Sequence, residues 1–177
     1  NALTAKQALL SGQASNMTQA LGQTKEQSKE LLFWIQKLAI ESPFRQDDVA
    51  GAFRLAMAMG FSTRESQRLT NSMLNFSTAT GQGGETIERV TRALGQMRLK
   101  GKVSLEEIGQ LTESGVDAMR ILQQATGLTC AELTKKITQG AIDADTAINA
   151  ILDDSDRLYA GAGKSAATSM SGLLSTL

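Results

Sequence analysis

The sequence predicts an all-α protein, a compact bundle of short helices with capped starts and glycine stops. Three observations carry that expectation. Proline occurs once in 177 residues, whereas Ala, Leu, Gln and Glu, which favour helix, are plentiful. Apolar residues recur at three- and four-residue spacing, and no alternating run is long enough to make a useful strand. Capping residues and glycines interrupt that spacing roughly every ten to twenty residues, the signature of helices that fold back on one another. Aromatic residues are only 4% of the chain, so the core must be built from Leu, Ile, Met and Ala, which suits close helix–helix packing.

Residues 1–22 mix small, polar and occasional apolar positions, with Ala8, Leu9, Met17 and Leu21 as plausible contacts. Their pattern fits either a weakly amphipathic helix or an arm that orders against a partner. Thr24 with Gln27 reads as a capping box, and the helix it opens places Leu31, Trp34, Ile35 and Leu38 on one face before Ser42-Pro43 ends it. Asp47 and Asp48 suit the positive end of a second helix, with Val49, Phe53, Ala56 and Met57 as its buried stripe and Gly60 as its stop. Ser62 with Glu65 is another capping box, opening a helix through Leu69, Met73 and Phe76 toward Gly81. After a GQGG turn at 81–84, a helix from about Glu85 carries Ile87, Val90, Leu94 and Met97, with Arg89, Arg92 and Arg98 turned away from that seam.

Two further starts follow. Ser104 with Glu107 reads as a capping box, with Val103 and Ile108 as a hydrophobic staple, and Thr129 with Glu132 repeats the device beside Leu128 and Leu133. Between them the spacing predicts a short helix over 116–125, bounded by Gly115 and Gly127. Gly140 closes the helix of Leu133 and Ile137, and Asp143 caps one carrying Ile148, Ile151 and Leu152. The domain expectation is therefore a helical domain over 23–152, an ill-defined arm over 1–22, and an Ala/Gly/Ser-rich segment over 153–177. Within that last segment, 161–172 fits either a linker or a helix stabilised by the rest of a longer protein. The start at Asn1 and the still-periodic end read as an excised fragment.

Charge and motifs exclude several function classes. Lys plus Arg and Asp plus Glu are 18 each, so no overall field draws the chain to nucleic acid or to an anionic membrane. The longest apolar burst, Leu31–Ile35, is far short of a bilayer span. Gly161-Ala162-Gly163-Lys164-Ser165 imitates a phosphate loop, but the glycine such a loop needs five residues earlier is Leu158. Cys130 is the one thiol and histidine is absent, so no Cys-His pair and no zinc site can be assembled. It reads as an incidental, semi-buried cysteine. Asp153, Asp154 and Asp156 lack calcium-loop spacing and read as a solvated helix end. Arg89, Arg92, Arg98, Lys100 and Lys102 form a basic run without the aromatic residues that stack on bases. It reads as a solvated helix face with cations near a helix C-terminus. Glu107 is taken up by its cap, and adjacent Glu106 points about 100° away, so the two cannot flank one bond. No catalytic residue, cofactor or metal is expected.

The block Ala93–Val116, ALGQMRLKGKVSLEEIGQLTESGV, resembles the signature of the tape measure proteins of long-tailed bacteriophages and prophages. That pattern has a Gly-Gln pair ending one helix, a Lys-Gly-Lys-like turn, then Glu-Glu, Gln-Leu and Glu-x-Gly. Here these are Gly95, Gln96, Lys100, Gly101, Lys102, Glu106, Glu107, Gln110, Leu111, Glu113 and Gly115. LLFWIQKLAIESPF (31–44), VAGAFRLAMAMGF (49–61), ATGLTCAELTKKITQG (125–140), Thr168 and Ser171-Gly172-Leu173 resemble other parts of the family, so the likeness runs from about 21 to 177. Met59-Gly60-Phe61 is bulkier than the usual pattern.

The resemblance implies a structural role in the virion tail, with no enzymatic turnover. Such a protein occupies the tail-tube lumen, sets tail length by templating tube polymerisation and later leaves with the genome, after assembly in the host cytoplasm. The partners implied are the tail-tube protein, tail assembly chaperones and tail-tip proteins, with self-association open, no specific nucleic acid and no membrane span. The residues singled out are Gly95, Gln96, Gly101, Ser104, Glu107, Leu111 and Gly115, all in structural roles, and substitution of Gly101 or Gly115 is costly if either has positive φ. Capped, broken helices imply a compact bundle near one end of the ruler rather than the extended rod. A different reading of the same helices is an adaptor or peptide-binding module unrelated to phage.

Overall fold

The computed structural model describes residues 25–175, and these form nine α-helices with no strand among them. They are α1 (Lys25–Ile40), α2 (Gln46–Ala58), α3 (Thr63–Ala79), α4 (Gly84–Lys100), α5 (Leu105–Glu113), α6 (Ala118–Thr126), α7 (Cys130–Thr138), α8 (Ala144–Tyr159) and α9 (Ala162–Ser175). The arm over 1–22 and the Thr24 cap lie outside the described residues.

Helices α2, α3, α4 and α8 pack on one another as the centre. Helix α1 covers α2, α9 covers α3, and α5, α6 and α7 close the side between α4 and α8. The core is one continuous cluster, with Phe53, Leu69, Met73, Leu94, Met97, Leu111, Leu122, Leu133 and Ile151 fully buried. The expected stripes are buried at Leu31 and Ile35 on α1, Val49, Phe53 and Ala56 on α2, and Ile87, Val90, Leu94 and Met97 on α4, whereas Leu38 and Met57 are half-buried at the edge of the core. Trp34 is half-buried and meets Phe53 edge-on at 5.6 Å between ring centroids. This is how sparse aromatics still contribute directional packing.

Helix ends follow local chemistry. Ser62–Glu65 and Thr129–Glu132 are complete capping boxes, each side chain bonding the other residue's backbone N–H. The Asp143 carboxylate accepts from the Thr146 N–H at 3.1 Å and starts α8. Helices α2, α3, α5 and α7 end with paired reverse bonds, for example Gly60 N–H to the Met57 carbonyl and Phe61 N–H to that of Ala56. Those bonds satisfy carbonyls that a helix end leaves open.

Several expectations need correction. Helix α6 begins at Ala118 rather than 116, because the Asp117 side chain accepts from the Arg120 N–H and fixes the start there. Of the two readings of the Ala/Gly/Ser-rich segment, the helix holds, over 162–175: Gly163 is buried against α3, its N–H donating to the Asn75 side-chain oxygen at 2.9 Å. Helix α8 runs unbroken past 152 to Tyr159. The three aspartates near its end are not simply solvated. Asp153 and Asp156 bind Arg68 of α3, and Asp156 also accepts from Ser72. Asp154 binds Arg120 of α6 and Arg157. Cys130 is exposed, not semi-buried.

Candidate functional site

The signature block folds as the C-terminal half of α4, a tight turn, α5 and the turn into α6. Gly95 and Gln96 do not end a helix, as the resemblance implied. They lie inside α4, which continues to Lys100, because Leu94 and Met97 keep its buried stripe going to the last turn. Gly95 instead lets α2 approach: a Cβ built there would overlap Met59 Sδ and stand 2.8 Å from Met59 Cβ. Gln96 is half-buried, and its Oε1 has no hydrogen-bond partner among the described residues.

Gly101 is the residue that ends α4, left-handed at φ 75°, with its N–H on the Met97 carbonyl at 2.8 Å. A side chain is strained in that conformation. The turn is then pinned across the fold. Val103 N–H donates to the Ile142 carbonyl at 3.0 Å and Ala144 N–H to the Gly101 carbonyl at 3.2 Å, an antiparallel bridge centred on Lys102 and Asp143. The turn before α5 and the turn before α8 thus hold each other, and α5–α7 form an excursion closed at its base.

Ser104 precedes α5 with extended backbone, but its hydroxyl caps no backbone N–H. The capping box expected there is replaced by a side-chain cluster. Ser104 donates to the Glu107 carboxylate, and Lys100 Nζ lies 3.2 Å from Ser104 Oγ and 3.1 Å from Glu107 Oε2. Glu107 is fully buried, Lys100 is 40% exposed, and Glu107 Oε1 has no partner among the described residues. The cause is nonlocal: a cation delivered by the end of α4 draws the carboxylate inward, away from the backbone it would have capped.

Leu111 is fully buried, and its carbonyl accepts the Val116 N–H at 2.9 Å. Gly115 then turns the chain at φ 89°, with Gln82 Nε2 3.1 Å from where a Cβ would stand. Gln82 also donates to the Ser114 carbonyl at 3.1 Å and accepts from Thr86, tying the GQGG turn to the end of α5.

Three cations of the basic run, Arg92, Arg98 and Lys100, are engaged within the chain. Arg92 pairs with Glu88 on its own helix. Arg98 pairs with Glu65 and Asp145 and lies over the Phe61 ring at 5.6 Å. Lys100 reaches Glu107, and Lys102 lies along Gly140. These contacts give Arg92, Arg98 and Lys100 partners within the fold. On the α3–α8 seam, burial works against the Arg68 charge, but hydrogen bonds to Asp153 and Asp156 outweigh it and raise its pKa. The bond to Asp154 raises that of Arg120. Sequence reasoning missed this seam, because acids on α8 and an arginine on α3 share no local spacing. Among the described residues no group of His, Cys, Asp and Glu is placed to hold a metal ion, and no helix is long and apolar enough to cross a membrane.

Comparison with known proteins places these features in a lineage. The family model described as tape measure protein matches residues 5–177, further toward the N-terminus than the resemblance read from the motifs. The chain is 26% identical over 154 residues to the Mu-like prophage FluMu protein gp42 of Haemophilus influenzae, covering 86% of this chain and 24% of that protein. It is 31% identical over 80 residues to the tape measure protein of Lactococcus phage F4-1, covering 45% and 22% of the two chains. It is 28% identical over 141 residues to the probable tape measure protein of Lactococcus phage p2, covering 77% and 14%. The chain thus spans less than a quarter of the length of each of these relatives. No solved structure matches it.

Proposed function

Because the chain belongs to the tape measure protein family, a family of structural phage tail proteins, we propose that it is a folded assembly segment of such a ruler. It works by presenting helix surfaces to other tail components, not by turning over a substrate. The family match sets aside the reading as an adaptor unrelated to phage. Whole-protein roles extend this proposal: templating of tube polymerisation, length setting in the tail lumen, and departure with the genome.

The observation that carries the proposal is the contrast between helix length and ruler length. A continuous helix advances about 1.5 Å per residue. The longest helices here have 17 residues, about 26 Å each, and they are turned back by caps, glycines and cross-fold bonds. Such a segment adds little length for its residue count. It is better suited to holding a position, against the tube protein, an assembly chaperone or the tip complex, than to measuring.

Exposed apolar side chains give that role a surface. Phe33 and Ile40 on α1, and Leu99 and Leu105 flanking the signature turn, stand largely in solvent. A photo-crosslinking residue at position 33 or 99, introduced into the full-length protein during tail assembly, tests the proposal. The expected adducts are with tail-tube, chaperone or tip proteins. Efficient assembly with no adduct to any tail component from either position contradicts it.

A further inference from the structure

We propose that a cavity between α3, α6 and α8 is a socket for one aliphatic side chain, the size of leucine, carried by another tail component. The proposal rests on reading the chain as an assembly segment and names one of its contacts. The floor is apolar. Met73 and Phe76 of α3, Val116 before α6, Ile121 within it and Ile151 of α8 line it, and the Tyr159 ring stands edge-on to Phe76 at 5.8 Å between centroids. Gly115 of the signature turn forms part of the wall. The cavity reaches solvent past Asp117 and Arg120, whose side chains are 63% and 40% exposed.

Size decides between occupants. The cavity holds about 120 Å³, whereas pockets for free small molecules run to about 300–1,000 Å³ and carry polar groups placed to orient them. An apolar cavity of about 150 Å³ takes one benzene ring or xenon, so this one suits a single side chain. Polarity agrees with size. Asp117, Arg120, Asp154 and Ser155 also line the cavity, but the fold already engages them. Arg120 binds Asp117 at 3.3 Å and Asp154 at 3.2 Å, Asp154 also binds Arg157 at 2.6 Å, and Ser155 donates to the Ser72 carbonyl at 3.2 Å. The buried side-chain atoms left without a partner among the described residues all lie elsewhere. Two carboxylates and two guanidiniums give the rim no net charge with which to draw an ion. What an occupant gains here is burial of apolar surface, beneath a polar rim that keeps water out, the arrangement of an anchor in a protein interface.

Xenon is a direct probe of the socket. In the 177-residue chain, xenon under pressure should shift the methyl NMR signals of Val116, Ile121 and Ile151 saturably, while a methyl remote from the cavity, such as that of Val49, stays in place. Val116→Phe, which fills the space, should abolish the shifts at Ile121 and Ile151, and Ile121→Phe replaces it if that variant does not fold. Absence of saturable shifts in the wild type overturns the proposal, whichever variants fold. In the full-length protein during tail assembly, a photo-crosslinking residue at position 117, on the rim, should give an adduct with a tail component that the filled variant loses. An adduct that survives filling overturns the socket. No adduct from position 117, while position 33 or 99 gives one, overturns the socket and leaves the assembly role standing. Silence from all three positions overturns both.

Discussion

Replacing Gly95 and Gly109 by alanine sets two physical effects against each other within one hairpin. Both residues lie inside helices, where alanine is intrinsically favoured by about 1 kcal/mol. Gly109 is exposed, and a Cβ there meets nothing within 4 Å, so Gly109→Ala should stabilise by about 0.5–1 kcal/mol. At Gly95 the new methyl would overlap Met59, whose Cβ cannot swing away as its thioether can. Overpacking of that kind costs about 1–3 kcal/mol and reverses the sign. Urea melts of the two variants decide it, and stabilisation by Gly95→Ala would show that α2 and α4 are not in close contact there. Lys100 and Glu107 offer a second test. Lys100→Met strands a buried carboxylate and should cost about 1–3 kcal/mol, below the values for fully buried pairs because Lys100 is partly hydrated. Lys100→Met with Glu107→Leu should be less destabilised than the single variant. If the costs simply add, the pair is not coupled. The sequence shows Ser104-x-x-Glu107 as a cap identical in form to Thr129-x-x-Glu132. What separates them is Lys100 arriving from the preceding helix, and local spacing carries no trace of it.

At the scale of elements, Thr129 and Glu132 test whether local signals alone start a helix. Removing the hydroxyl in Thr129→Ala should cost about 1 kcal/mol. The side-chain and backbone hydrogen bonds with Thr129 lower the pKa of Glu132. A carboxyl whose pKa is lower folded than unfolded stabilises the fold fully above its unfolded value, and that contribution is lost as pH falls through the folded one. The wild type should therefore lose more stability than Thr129→Ala on acidification below the usual glutamate range. Parallel pH dependences would contradict the cap. Elements with short-range rules, such as α3, α7 and the start of α8, were legible in the sequence. The end of α4 was legible from Gly101 but not from the Gly95-Gln96 pair: Gly95 is explained by Met59, the residue that ends α2. Helix α9 was legible only as one of two options, linker or helix, for a similar reason: Ala, Gly and Ser carry little intrinsic signal, and Gly163 is placed by contact with Leu74 and Asn75.

Across the molecule, the central claim is that this stretch of a tape measure protein is a folded bundle, not a length of rod. The all-α class followed from composition and periodicity, which sum over many residues. The arrangement did not, because the Gly101–Ala144 bridge, the Arg68 seam and the Gln82 tie all join residues far apart in sequence. Small-angle X-ray scattering of the isolated chain tests the claim most directly. A compact chain of this length has a radius of gyration of about 16 Å, with a bell-shaped Kratky profile. One continuous helix of the same chain would be about 265 Å long, and a pair-distance distribution with an extended tail of that order would contradict the account.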